Sequence, residues 1–314
     1  MPSNCEILVV GSVHMDLIAT AERFPVRGES VSGGLFSMGA GGKAGNQASL
    51  ISSLGFRTCV IARLGDDLFG KQLLHSLQQR GVETRFVAID PEHATGASTI
   101  LAAEGDYSSI ISPGAASFLN QGDVQLAFGA IQPPLALLVQ LELPIPITLF
   151  AAKVAKSAGT PVILNASPVP DAIGNEIGDL LRLTSILFVN RVEANRLLGS
   201  SVGIMDAGEL ASQLSAGFGI ETVIVTAGSE ESAGISPELG IVRVGAFPAS
   251  VVDTMGAGDA FLSATTAGLV SGLSLSSAMR RGAAAGAMLV SREGASGKLP
   301  TSSDIDDFLA KNET

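Results

Sequence analysis

The chain reads as an α/β protein in which a mainly parallel sheet is covered by helices on both faces and a small antiparallel sheet stands off the main body. Three observations predict this. Short, wholly apolar runs rich in Val, Ile and Leu recur along the chain, the pattern of strands buried on both faces. Stretches of helical length lie between them and stop at a glycine, the residue a helix C-terminus favours for its left-handed turn. Two segments break that rhythm, from about 16–38 and about 97–111, and read as hairpins.

The expected strands are 7–10, 58–64, 136–141, 161–165, 186–190 and 222–226. The expected helices are 45–54, 68–80, 147–158 and 191–198, each followed by glycine, at Gly55, Gly81, Gly159 and Gly199. Strands alternating with helices imply βαβ crossovers and hence a parallel sheet. In the second hairpin, alternation over 98–103 leads through Gly105 and Asp106 into another short run. Hairpins inserted into such a chain make a candidate lid. Beyond Phe247 the chain turns rich in Gly, Ala and Ser, and helices are expected over 257–270 and 275–290, whose small residues permit close packing. Neither repeats nor linkers interrupt the pattern, so 1–314 is expected to form a single domain.

With 314 residues, 46% of them hydrophobic, the chain can bury a core without disulfides or a structural metal. A disordered or fibrous protein is excluded. Lys and Arg number 19 against 30 Asp and Glu, a net charge of −11 with no basic run, which argues against nucleic acid and anionic membrane as partners. The mean hydropathy of +0.41 belongs to buried strands, because Pro or a charge breaks every apolar stretch well short of a membrane span. The first residues carry no basic segment and the run 7–10 is too short for a signal sequence, so a cytoplasmic protein is expected. Cys5 and Cys59 lie in strand-like runs with no CxxC pair and read as reduced core residues. His75 and His93 read as surface residues.

The most informative segment is Val251-Val-Asp-Thr-Met-Gly-Ala-Gly-Asp-Ala-Phe261. A β-branched pair runs into a glycine turn and then a helix, and free N–H groups at such a helix start, with its dipole, form an anion site. A carboxylate inside an anion site repels phosphate. Asp259 makes sense there if it takes a proton from a hydroxyl attacking that phosphate. A bare GxG is more often a plain turn, but the whole run is far more specific, and it resembles the C-terminal signature of the ribokinase-like (PfkB) carbohydrate kinase family.

Other segments are similar to that family in the same order. Gly39-Ala-Gly-Gly-Lys-Ala-Gly-Asn-Gln-Ala48 resembles its N-terminal signature, where a diglycine backbone and an Asn grip sugar hydroxyls; Gly42, Lys43 and Asn46 match. The ribokinase members read GGKGANQA where this chain has GGKAGNQA, an exchange at Ala44 and Gly45 that keeps Asn46 in register. Gly11-Ser-Val-His-Met-Asp16 resembles Gly-Ser-x-Asn-x-Asp, so Asp16 matches an aspartate that holds two sugar hydroxyls and His14 replaces an Asn. Leu141-Glu-Leu-Pro144 is similar to Leu-Glu-x-Pro, placing Glu142 near the sugar. Asn190-Arg-Val-Glu193 matches NxxE, which implies Asn190 at the nucleotide phosphates and Glu193 organising hydrated Mg²⁺; the same tetrapeptide is an ordinary capping box. Val223-Ile-Val-Thr-Ala-Gly-Ser229 resembles the turn that supports ATP, through Thr226 and Gly228.

The resemblance implies a three-layer α/β/α fold with a mainly parallel central sheet and a small β-sheet lid over a sugar pocket. It implies transfer of the ATP γ-phosphoryl to a primary sugar hydroxyl, with Asp259 as base and the N–H groups of Gly256, Ala257 and Gly258 stabilising the moving phosphoryl. Within the family the ribokinase pattern fits best, which implies ribose; 2-deoxyribose or a ketohexose are alternatives because His14 departs from that pattern. A nucleoside kinase is disfavoured by the lack of an aromatic-rich lid segment. An intact base in the anion site disfavours a non-catalytic sugar-binding regulator, and a dinucleotide enzyme would need GxGxxG after the first strand. The family also implies a homodimer through the lid and a K⁺ beside the anion loop, held by Asp253, the Met255 carbonyl and the 291–298 loop. Lys298 stands where ribokinase members have Ser, so its ammonium could replace that ion; the other reading leaves Lys298 in solvent and K⁺ in place.

Overall fold

The computed structural model describes residues 4–104, 106–200, 205–252, 254–291 and 298–312. In chain order these form strands β1 (Ile7–Val10), β2 (His14–Thr20) and β3 (Leu35–Gly41), helix α1 (Lys43–Ser53), β4 (Thr58–Gly65), α2 (Leu68–Gln79), β5 (Val87–Asp90), β6 (Thr95–Ala103) and β7 (Asp106–Gly114). After a 3-10 turn at Ala115–Phe118 come α3 (Gln121–Ala130), β8 (Ala136–Gln140), α4 (Ile145–Ser157), β9 (Val162–Asn165), α5 (Asn175–Leu183), β10 (Ile186–Asn190), α6 (Arg191–Leu197) and α7 (Ala207–Phe218). The chain continues through β11 (Thr222–Thr226), β12 (Ser232–Ser236), β13 (Gly240–Val244), α8 (Ala257–Val270), α9 (Leu275–Val290) and α10 (Ser302–Lys311).

Among the described residues the large sheet runs in the order β13-β12-β11-β10-β9-β8-β1-β4-β5 and the small one in the order β3-β2-β6-β7. The large sheet is parallel from β11 to β5, and β12 and β13 extend it antiparallel. Side chains alternate across each strand, which sorts the layers. Ile7, Val9, Val60, Leu138 and Ile163 pack with α1, α2, α8 and α9 on one face. Leu8, Val10, Ile61, Val139 and Leu164 pack with α3 to α7 on the other. Three α/β/α layers follow from that alternation, and among the described residues no helix is long and apolar enough to cross a membrane.

The small sheet joins two antiparallel pairs, β2 with β3 and β6 with β7, through a parallel β2–β6 contact. Strands β6 and β7 pair as far as Ala103 and Asp106, and Glu104 lies at φ 57°. By contrast β2 and β3 are separated by the long 21–34 connection. Where β6 leaves the main body, Asp67 accepts from the Thr95 N–H (2.7 Å) and hydroxyl (2.8 Å) while capping α2 through the Gly70 N–H (2.8 Å). His93 is half-buried rather than on the surface, because its ring bonds Asp90 Oδ1 at 3.1 Å and stacks on Phe118. Cys5 and Cys59 are buried free thiols, as expected.

Helices α8 and α9 pack closely through small residues. Gly268 lies against Ala278, and Gly282 abuts the Phe261 carbonyl and the Thr265 hydroxyl. A Cβ on Gly282 would sit 2.6 Å from the Phe261 oxygen, so α8 would have to move. Alanine gains about 1 kcal/mol of helix propensity over glycine, but overpacking costs about 1–3 kcal/mol. Gly282→Ala is therefore expected to destabilise the fold by up to about 2 kcal/mol, read by chemical denaturation; a raised midpoint would contradict the packing account.

Candidate active site

The strand order reverses at β1, with β4 and β5 on one side and β8 to β11 on the other. In open α/β sheets, ligands bind outside the carboxyl ends of the strands at such a reversal. Register delivers the expected residues to that edge. Val10 pairs with both Ile61 and Val139, Gln140 with Asn165, and Asn190 with Thr226. The loops carrying Ser12, Glu142, Ser167 and Asn190 therefore emerge side by side.

Of the helices that start at this edge, α1 and α8 each do so behind a glycine in the left-handed region. Gly42 (φ 86°) precedes α1 and Gly256 (φ 76°) precedes α8, and neither offers a capping side chain. At Gly42 a Cβ would also lie 2.6 Å from the Ser12 carbonyl, so only glycine fits. The α1 terminus is closed by Glu142, whose Oε2 accepts the Lys43 N–H at 3.0 Å and the Ser12 hydroxyl. A carboxylate suits that positive helix end. At the α8 terminus Gly256 and Gly258 line the open cleft, while the Ala257 N–H makes a long turn bond (3.3 Å) to the Thr254 carbonyl.

Asp259 lies in the first turn of α8 and is 8% exposed. Its Oδ2 accepts from Asn46 Nδ2 at 3.2 Å and its Oδ1 from Gln47 Nε2 at 2.7 Å. Burial pushes its carboxyl above the ordinary aspartate range. The nearby Lys43 ammonium and the two amide donors oppose that shift, and the Glu142 charge adds to it.

A cleft of about 540 Å³ gathers Lys43, Asn190, Glu193, Thr226, Gly256, Gly258 and Asp259 on one wall system, together with Asn165 and Ser167. The other expected residues group around the start of α1. His14 pairs with Gly41 and Asp16 with Gly39 in the β2–β3 register. His14 Nε2 stands 3.3 Å from Asp16 Oδ1, and the Asp16 carboxylate packs so tightly on Gly41 that a Cβ there would overlap it. Asn46 joins the two groups through its bond to Asp259. Gly228, in the turn after β11 at φ 62°, is not part of the cleft wall. Asn190 and Glu193 do form the capping box: Asn190 Oδ1 accepts the Glu193 N–H (2.9 Å) and Glu193 Oε2 accepts the Asn190 N–H (2.8 Å). They line the cleft as well, so capping and ligand contact are compatible. Asp253 and residues 292–297 of the expected cation loop lie outside the described residues.

Sequence reasoning gave no role to Ser12, Gln47, Gln140, Asn165 or Ser167. The available signal was a glutamine ending the buried run Ala136–Gln140 and another inside a helix whose neighbours Ala44, Ala48 and Ile51 are core residues.

The model of the pfkB family carbohydrate kinases matches residues 5–302. The chain belongs to this family. The pfkB kinase is 31% identical over 304 residues to a ribokinase of Haemophilus influenzae, covering 96% of this chain and 98% of that protein. It is 28% identical over 310 residues to a deoxyribokinase of Salmonella typhi, covering 98% and 100%. Among solved structures, an Arabidopsis thaliana ribokinase complexed with ribose and ATP superposes with a TM-score of 0.86 at 30% identity, covering 98% of this chain and 99% of that one. The pfkB kinase is thus a phosphotransferase acting on a sugar hydroxyl.

Glu142 ties three loops of this kinase together. Glu142→Ala leaves the Lys43 N–H and Ser12 hydroxyl without their acceptor, so the unliganded protein is expected to lose about 1–3 kcal/mol of stability. Thermal denaturation without sugar or nucleotide checks this; a change visible only with sugar present would return Glu142 to a purely ligand-binding role.

Proposed function

We propose that this kinase transfers the γ-phosphoryl of ATP to the primary hydroxyl of ribose, with Asp259 as the base. The observation that carries the reading is a buried carboxylate at the glycine-capped start of α8, on the same cleft as Lys43, Asn190, Glu193 and Thr226. The sugar hydroxyl oxygen attacks the γ-phosphorus, its proton passes to Asp259, and the β–γ bridging bond breaks to release ADP. The Gly256 and Gly258 N–H groups and the positive end of α8 meet the charge on the moving phosphoryl. Ala257 joins them once its long turn bond to Thr254 yields.

The donor set fits magnesium carried mainly by phosphates and water. Among the described residues no group of three His, Cys, Asp or Glu could hold a metal, while Glu193 on the cleft offers a single carboxylate for bound water. Mg²⁺ would neutralise phosphate charge there. Thr226 flanks the nucleotide, and Gly228 in the next turn supports it from outside the wall. Asp16 and Asn46 hold sugar hydroxyls, with Gly42 and Glu142 shaping the pocket and the small sheet closing over it as a lid. K⁺ near Asp253 and Met255 belongs to this reading. So does a homodimer through the small sheet, whose outer strands expose Leu35, Phe36, Met38, Ile110 and Ile111. A cytoplasmic setting, where ATP is held, is consistent with it.

A second reading, 2-deoxyribose as acceptor, is favoured by one observation: His14 Nε2 stands 3.3 Å from Asp16 Oδ1, beside the carboxylate that would hold the sugar hydroxyls.

Asp259→Asn should lower kcat about 10²-fold to 10⁴-fold with ATP binding retained, measured as ADP release with ATP, Mg²⁺ and a sugar panel. Turnover near wild type would refute the base. The base must be ionised, and burial holds it protonated above the usual range, so kcat should fall on the acid side with an apparent pKa above that of a free aspartate. His14→Asn is expected to shift the kcat/KM ratio between ribose and 2-deoxyribose, and an unmoved ratio removes His14 from the sugar pocket. Strong KCl activation in sodium-free buffer supports the K⁺ reading; activity indifferent to KCl that becomes dependent in Lys298→Ser supports the lysine instead.

A further inference from the structure

Behind Asp259 two side-chain amides are sealed from solvent, Gln47 at 0% and Gln140 at 1% exposure. Gln47 Nε2 donates to Asp259 Oδ1 at 2.7 Å, and Gln140 Nε2 donates to Gln47 Oε1 at 2.6 Å. Chemistry sets the direction of this chain. An ionised carboxylate only accepts, so Gln47 must turn its NH₂ to Asp259. Its oxygen then faces Gln140, which must present its own NH₂. The cost surfaces at the far end, where Gln140 Oε1 is buried with no hydrogen-bond partner. An unpaired buried acceptor is unfavourable, yet flipping either amide would set oxygen against oxygen. Gly11 makes room for the arrangement, since a Cβ there would overlap Gln140 Oε1.

We propose that Gln47 and Gln140 are positioning residues for phosphoryl transfer, a one-way amide chain that fixes Asp259 Oδ1 and favours the ionised carboxylate, leaving Oδ2 to take the proton. The inference rests on Asp259 being the base. Among the described residues Oδ2 accepts the longer bond, 3.2 Å from Asn46, against 2.7 Å at Oδ1, so it is the more basic oxygen. As the sugar O–H bond breaks, the new O–H bond forms at Oδ2, and the Gln47 bond to Oδ1 keeps the carboxyl from rotating. The charged groups acting on Asp259 are the Lys43 ammonium, which favours ionisation, and the Glu142 carboxylate, which together with burial opposes it. The amide chain tips that balance without adding a charge that would repel the phosphates.

The test is the pH profile of kcat and kcat/KM for Gln47→Met, which keeps side-chain length and removes the donor, and for Gln140→Met, which frees Gln47 to flip. Removing a hydrogen bond to a charged group should move the acid limb up by about one pH unit or more in Gln47→Met and by less in Gln140→Met. Turnover lost near neutrality should return as pH is raised. A loss equal at every pH, or an unmoved limb, overturns the inference, since a merely structural role predicts one of these. Asp259→Asn assayed in parallel separates the two readings. If it stays active the base assignment fails, and if it is silent while Gln47→Met keeps the wild-type limb, only the amide chain fails. Should both methionine variants misfold, ¹⁵N-glutamine labelling of the unmodified protein gives the same answer: two side-chain NH₂ signals should titrate along the acid limb, and flat shifts would refute the chain.

Discussion

A carboxylate buried at the start of a helix, that of Asp259, is the constraint around which the rest of this molecule is arranged. Water is the usual solvent for such a charge, and its removal is expensive unless other dipoles replace it. Here the replacement comes from a helix whose Asn46 lies 213 residues from Asp259 along the chain, so α1 and α8 have to abut. The contact is tight enough for the Ser263 hydroxyl of α8 to reach the Gln47 carbonyl at 3.5 Å. The Gly- and Ala-rich character of α8 and α9 follows, because α8 is squeezed between α1 and α9 and has no volume to spare.

The same economy explains why two helix starts at one edge are treated differently. Both carry partial positive charge and N–H groups that find no partner within the helix itself. At α1 the protein supplies its own anion, Glu142, and turns the helix end into a fastening for the loops after β1 and β8. At α8 the glycines face the cleft. One helix end is therefore fastened by the protein's own carboxylate, and the other opens on the cleft.

Much of the architecture was legible in the sequence, for a physical reason. Strands such as β1, β10 and β11 have unbroken apolar centres because both faces are covered, and α8 and α9 were delimited by turn residues on either side. The edge strands β5 and β13 and the neighbouring β12 are not legible there, since they are short and partly exposed and so lack the unbroken apolar run. Helices α3, α7 and α10 were also passed over although Asn120, Asp206 and Thr301 mark their starts as side-chain caps. At the site, charged and glycine residues could be read because their chemistry is specific. Gln47 and Gln140 could not, because an amide carries no charge and looks like any polar residue until its burial is known. The Glu142 fastening was hidden for another reason, as it joins residues 130 positions apart.

The unpaired oxygen of Gln140 has a consequence for how this sequence can change over generations. Gly11, Gln47, Gln140 and Asp259 form a closed set in which each side chain's acceptable identity is dictated by its neighbour. Residues coupled through one buried polar network respond to substitution non-additively. A change tolerated at one of the four alters what is tolerated at the other three, so these positions, drawn from four separate stretches of chain, are bound to drift as a unit or to remain still.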